Sequence, residues 1–196
     1  MVTQIIFPAL RMLVVLTVLT GLLYPGLVTL VATPLFPTQA AGSLIDVDGV
    51  IVGSAVVGQA NQSPRYFWPR PSAVDYMAGS TPNHLGSSGA TNAGPTSRAL
   101  ATTVAARAAA FRAANSLDSN TPIPADMLFA SGSGLDPDIS PAAAMLQVKR
   151  VAVARNLNPA FVADLVAAHT EAPQFGLLGP ARVNVLLLNL ALDRVQ

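Results

Sequence analysis

Three consecutive aromatics, Tyr66, Phe67 and Trp68, stand between Arg65 and Arg70 in the run NQSPRYFWPRPSA, residues 61–73, which also carries three prolines and the single Trp of the chain. Aromatic rings interleaved with guanidinium groups can stack a base or an adenine ring. The same residues suit a structural platform, in which the rings pack beneath a loop and the prolines limit its freedom.

Other reactive combinations are sparse. Phosphate transfer would need a glycine loop with a lysine, or a phosphorylatable Asp in an Asp-Lys-Thr-Gly context, and the sequence contains neither. Ser131-Gly132-Ser133-Gly134 offers backbone N–H groups, but no Lys-Ser or Lys-Thr follows, so a turn ahead of a helix accounts for it. A nucleophilic triad would have to recruit His84 or His169, the only histidines, and Ser133 does not sit in a G-x-S-x-G elbow. His169 is placed to meet a helix C-terminus. Asp136 and Asp138, beside Ser133 and Ser140, hint at an oxygen-ligand cation site. They equally suit capping of backbone donors at the next helix. Asn61-Gln62-Ser63 fits the glycosylation pattern formally, with Pro64 following.

The elements that must position these residues belong to a chain of 196 residues, enough for one domain plus an appendage. Hydrophobic residues make up 52% and charged residues 11%, which points to a membrane-associated class. A formal charge of +1, with Lys149 the single lysine, gives no electrostatic case for a nucleic-acid partner. The absence of cysteine excludes disulfides, thiolate metal sites and Cys nucleophiles.

Residues 12–32, MLVVLTVLTGLLYPGLVTLVA, lack any ionisable carboxylate, amine or guanidinium, and as a helix would be about 31 Å long. That matches a hydrocarbon core of about 30 Å, so this is the expected transmembrane helix. Thr17, Thr20 and Thr29 can bond back to helix carbonyls, and Pro25 implies a kink. Gly21 and Gly26 permit close approach of neighbouring membrane helices. The run is too long for the apolar region of a cleaved signal peptide. Arg11 flanks its start, while the twenty residues after Ala32 contain no Lys or Arg. Charge asymmetry therefore predicts residues 1–11 in the cytoplasm, a linker at 33–42, and one extracytoplasmic domain over 43–196.

Within that domain, Leu44 to Val52 reads as two strands joined by Asp48-Gly49, with the second strand extended to Val57. Residues 61–95 read as a long ordered loop. A helix is expected from Thr96 to Asn115, with Leu100, Val104 and Phe111 on one face, and a short turn near Pro124–Leu128. Ser140-Pro141 and Asn158-Pro159 each combine a cap with a first-turn proline, opening helices through about Arg155 and His169. Arg182 to Asp193 is expected to be a final buried helix facing inward through Val183, Leu186, Leu187 and Leu190. The resulting fold class is α+β, a small N-terminal sheet with several helices, anchored by one membrane helix.

Taken in order, these pieces resemble a known family. They are Gly-Leu-Leu-Tyr-Pro-Gly at 21–26, Gly53-Ser54, Gly58-Gln59, the run from Ser63 to Ala73, Ser87 to Thr96, Ala130 to Pro141, Arg182 to Val185 and Leu188 to Asp193. Nearly the whole chain resembles the C subunit of the Kdp-type potassium-transporting P-type ATPase of bacteria and archaea. The resemblance implies a single-pass, inner-membrane, non-catalytic subunit. Its partners would be a channel-like potassium-binding subunit, a P-type ATP-hydrolysing subunit and a very small single-span subunit. It implies a catalytic chaperone that raises the affinity for ATP, with Gln59 matching a nucleotide contact, and potassium as the ion transported by the complex rather than bound by this chain. An extracytoplasmic domain and a cytoplasmic nucleotide lie on opposite sides of the bilayer, and the charge asymmetry favours the former. Tyr66, Phe67, Trp68, Arg70, Asn92, Ser133 and Asp136 are the candidates for contacting a partner or ordering the loops. The rival reading is a free-standing, membrane-anchored protein that uses the aromatic loop to hold a small ligand.

Overall fold

The computed structural model describes residues 2–76 and 87–195, and the chain divides into two compact units, Met1–Val52 and Gly53–Gln196. His84 lies outside the described residues.

In the first unit, α1 (Val2–Val18), a π-helical segment (Leu19–Leu23) and α2 (Tyr24–Leu35) run on without a break. Gln4–Leu35 forms an apolar stretch of 32 residues with none buried. At 1.5 Å per residue that is about 48 Å, more than the bilayer core, so such a helix would tilt or emerge at its ends. It outruns the expected 12–32 span because Pro8 and Pro34 each delete only one backbone bond near a helix end. The π segment has a local cause. Pro25 cannot donate, and the helix meets it by widening its register, so that Tyr24 N–H bonds the carbonyl of Leu19. Thr20 returns its hydroxyl to the carbonyl of Leu16 at 2.7 Å.

A four-residue helix, α3 (Pro37–Ala40), leads to the hairpin of β1 (Leu44–Val47) and β2 (Val50–Ser54). Its turn uses Asp48 and Gly49 at positive φ, and Asp46 accepts from Gly49 N–H at 2.8 Å. β2 stops at Ser54 rather than Val57 because Ser54 turns the chain. Its hydroxyl oxygen accepts from Val56 N–H and its carbonyl from Val57 N–H.

The second unit contains α4 (Arg98–Asn115), a 3-10 turn (Ala125–Met127), β3 (Asp138–Ile139), α5 (Pro141–Arg155), α6 (Pro159–Ala168), β4 (Thr170–Glu171), β5 (Arg182–Asn184) and α7 (Val185–Asp193). Side-chain oxygens of Ser97, Ser140, Asn158 and Asn184 cap the four helices, and α4 and α5 end on left-handed Ser116 and Asn156. Asp126 reinforces the cap of α5, accepting from Ser140 N–H at 2.6 Å and from its hydroxyl at 3.2 Å. α5 packs on α6 and α4, and α7 on α6, around Phe67, Phe111, Val151, Val162, Val183 and Leu188. β5 lies between β3 and β4, antiparallel to both, with Val183 opposite Ile139 and Thr170.

The C-terminal segment corrects one expectation. Arg182–Asn184 is a strand, so the helix begins at Val185 and turns Val185, Leu188, Asn189 and Leu192 inward. Leu187 is 37% exposed, and Leu186 and Leu190 are half-buried. Starting the period at Val183 rotates the apolar face away from the true one.

Candidate functional site

The aromatic run is clamped along its backbone by side chains from α5 and α7. Asn189 on α7 accepts from Phe67 N–H at 2.8 Å and donates to the Phe67 carbonyl at 3.0 Å. Gln147 on α5 accepts from Trp68 N–H at 2.7 Å and returns its amide to the Trp68 carbonyl at 3.4 Å. Each amide supplies the donor and acceptor that a neighbouring strand would supply. The Phe67 ring, 0% exposed, is therefore held in the core.

Two arginines complete the clamp. Arg150 lies three residues from Gln147 and hence on the same face of α5. Its guanidinium donates to the carbonyls of Ser63, Pro64 and Tyr66 at 3.3, 2.8 and 2.9 Å, to Gln147 Oε1 at 2.7 Å and to Asn115 Oδ1 at 2.9 Å. The same group stacks over Trp68, 4.5 Å from the ring centroid. Burial pulls its pKa down to about 10, which still leaves it charged at neutral pH. Arg155 donates to the Arg65 carbonyl at 2.7 Å, to the Leu192 carbonyl at 3.2 Å and to Asp193 at 2.6 Å, and lies over Tyr66 at 4.6 Å. Asp193 also accepts the Tyr66 hydroxyl at 3.1 Å.

Beyond Trp68 the chain is tied to the 131–138 segment. Arg70 pairs with Asp136 at 2.5 Å, the Tyr76 hydroxyl bonds the Arg70 carbonyl at 3.0 Å, and Ser72 donates to the Gly134 carbonyl at 2.7 Å. Gly58 is the close-approach point: a Cβ there would lie 2.6 Å from the Asp136 carbonyl oxygen. Burial raises the pKa of Tyr76, Asp136 adds to the rise and Arg70 opposes it. A cleft of about 350 Å³ opens beside this strap, lined by Trp68, Pro69, Tyr76, Arg107, Phe111 and Met127 among others.

The structure thus brings Tyr66, Phe67, Trp68, Arg70 and Asp136 into one connected array. Ser133 borders it, its carbonyl accepting from Gly89 N–H at 2.8 Å and Ser88 at 2.9 Å. Gln59 is half-buried, with its amide lying where a Cβ on Gly53 would go. Asn92 is exposed in a left-handed conformation. Asp136 and Asp138 do not converge on a cation, since Asp136 pairs with Arg70 and Asp138 with Arg182, and no group of three or more His, Cys, Asp or Glu that could hold a metal occurs among the described residues. His169 approaches the Leu165 carbonyl at 2.9 Å, at the end of α6.

Sequence reasoning missed Gln147, Arg150, Arg155, Asn189 and Asp193. The signal was there in part. Gln147 and Arg150 share one face of a helix otherwise rich in alanine and valine, which marks a polar patch awaiting a buried partner.

Comparison with known proteins gives one consistent answer. The family described as KdpC, K+-transporting ATPase, c chain, matches residues 6–194. Potassium-transporting ATPase KdpC subunits from Burkholderia orbicola and Methylococcus capsulatus are each 52% identical, over 192 and 190 residues. These alignments cover 98% and 96% of this chain and 97% of each relative. The subunit from Sorangium cellulosum is 54% identical over 186 residues, covering 95% of both chains. With a family match that spans nearly every residue and relatives above half identity along nearly their whole lengths, this chain belongs to the KdpC family, the c chains of K+-transporting ATPases.

Proposed function

We propose that the chain is a membrane-anchored, non-catalytic subunit that assembles and stabilises an ATP-driven potassium import pump. The observation that carries this reading is the direction of the arginines. Arg150 and Arg155 aim their donors at carbonyls of residues 63–66 and stack on Trp68 and Tyr66. They rigidify a surface instead of addressing a reactant. Rigid surfaces suit assembly, because little freedom is lost on docking.

In this proposal the domain lies outside the cytoplasm, because Arg11 stands towards the N-terminal end of the apolar helix and no Lys or Arg follows until Arg65. The helix would pack on a channel-like potassium-binding subunit, with a P-type ATP-hydrolysing subunit and a small single-span subunit completing the complex. Its effect on ATP affinity would run through assembly. Gln59 would order the loop beside Gly53 and Leu186 rather than touch nucleotide. Deleting the chain from a purified complex should collapse potassium-stimulated ATPase activity, and full activity would sink the proposal. Photolabelling with an ATP analogue on vesicles of both orientations addresses Gln59: labelling that depends on it from the cytoplasmic face would overturn the placement.

A second reading has one observation in its favour. The cleft between Trp68, Phe111 and Met127 is large enough for a small ligand. A free-standing binding protein would leave detergent extraction alone, whereas a pump subunit should co-purify with its partners.

A further inference from the structure

Between β4 and β5 the chain runs EAPQFGLLGPAR, residues 171–182, and folds back on itself at an antiparallel bridge between Gln174 and Leu178. At its tip Phe175 is 96% exposed and Leu177 82%. Scattered exposed apolar residues are ordinary, but three within four positions, Phe175, Leu177 and Leu178, at the tip of one turn mark a contact site.

The tip is built, not loose. Gln174 and Leu178 exchange backbone hydrogen bonds at 3.0 and 2.9 Å, and Gly176 N–H bonds the Pro173 carbonyl at 2.9 Å. Its base is fixed by Arg182, which pairs with Glu171 at 2.7 Å and with Asp138 at 3.3 Å. Phe175 itself has φ of 55°, a region that bulky side chains avoid. A glycine would sit there without strain, yet an aromatic residue is displayed instead.

We infer that this hairpin is a docking knob, Phe175 with Leu177 and Leu178, that seats in an uncharged apolar socket on another protein subunit of the pump. The inference rests on the pump-subunit reading. A lipid surface fits the chemistry less well, because interfacial anchors combine apolar residues with Lys, Arg and Trp or Tyr. Here no charged residue lies between Glu171 and Arg182, and the one at the base on the β4 side is acidic. A rigid aromatic with two side-chain torsions, presented on a preformed turn, is the form that interface anchors take.

The test uses the full chain co-expressed with the other pump subunits. Phe175→p-benzoyl-phenylalanine, irradiated in the assembled complex, should form an adduct with a different protein subunit. The same probe at Thr103, exposed on α4, should not. Phe175→Gly separates docking from folding: it removes the ring and relieves the backbone, so the unfolding temperature of the chain should hold or rise. Its retention in the complex should fall about tenfold. Adducts with lipid, adducts with a second copy, or undiminished retention of the glycine variant would each overturn the knob while leaving the subunit in its pump. A chain that fails to co-purify at all overturns both readings.

Discussion

Arg150 and Trp68 form a reciprocal pair: the guanidinium lies 4.5 Å from the indole centroid, while the indole N–H donates at 3.0 Å to the Ser63 carbonyl, which Arg150 also reaches at 3.3 Å. A planar, five-donor group is needed to stack and to bond several carbonyls at once. Arg150→Lys keeps the charge but loses the plane and most of the donors, and is expected to cost roughly 2 kcal/mol, read as a lowered unfolding midpoint. Arg150→Met leaves the carbonyls unpaired and should cost more than the lysine variant. Equal midpoints for the two would argue against the multidentate role.

Trp68→Ala removes the lower face of that stack and one wall of the cleft. In the assembled pump it is expected to reduce the fraction of chain retained on affinity-purified complex, and to leave the preference for potassium over sodium unchanged in the pump that remains. Altered selectivity with normal retention would contradict a structural role for the motif.

Asn189→Leu probes the amide clamp. It strands the N–H and C=O of buried Phe67, and roughly 2–4 kcal/mol of stability should be lost. Chemical denaturation should show the midpoint shift with little change in slope.

Gly58→Ala would place a methyl 2.6 Å from the Asp136 carbonyl oxygen and 2.9 Å from the Tyr76 ring. Backbone cannot yield as a flexible side chain can, so a loss of roughly 2 kcal/mol or more is expected. Gly132→Ala, where nothing lies within 4 Å, serves as the control in the same thermal assay.

Asp138 gives a pH signature. Burial raises its pKa above 3.8 by more than the neighbouring Arg182 lowers it. The folded state holds this proton more tightly than the unfolded chain does, so the carboxyl's contribution is full below pH 3.8 and is lost as pH rises through the raised value. Asp138→Asn is therefore expected to leave stability unchanged or raised at pH 7, and the gain should shrink in acid. A clear loss at pH 7 would show that the ion pair with Arg182 dominates.

How far the sequence carried depended on the range of the interactions involved. α5 and α6 were readable to within a residue or so because Ser140-Pro141 and Asn158-Pro159 carry their own start signals, and the chain at Asn156 its own stop. The Asp48-Gly49 turn was equally local. The two-residue strands β3 and β4 were not readable, since so short a strand exists only through β5. The face of α7 was misread because the backbone changes from strand to helix between Asn184 and Val185 with no change in apolar character. At the site, the aromatic motif was conspicuous, but its clamps lie 79 and 122 residues away at Gln147 and Asn189. Nothing in the spacing of an amide and an aromatic so distant announces that they meet.

The bond between Tyr66 and Asp193 spans 127 positions of the chain. Synthesis proceeds from the N-terminus, so the aromatic run is made long before α7 exists to hold it. Until Asn189, Leu192 and Asp193 arrive, the backbone of Phe67 lacks its amide partner and Arg155 lacks two of its acceptors. The loop-closure entropy is met only at that last step, which makes completion of the strap a late event in folding. A nascent chain stalled before α7 would carry a finished apolar helix and an unlatched domain, a ready substrate for proteases.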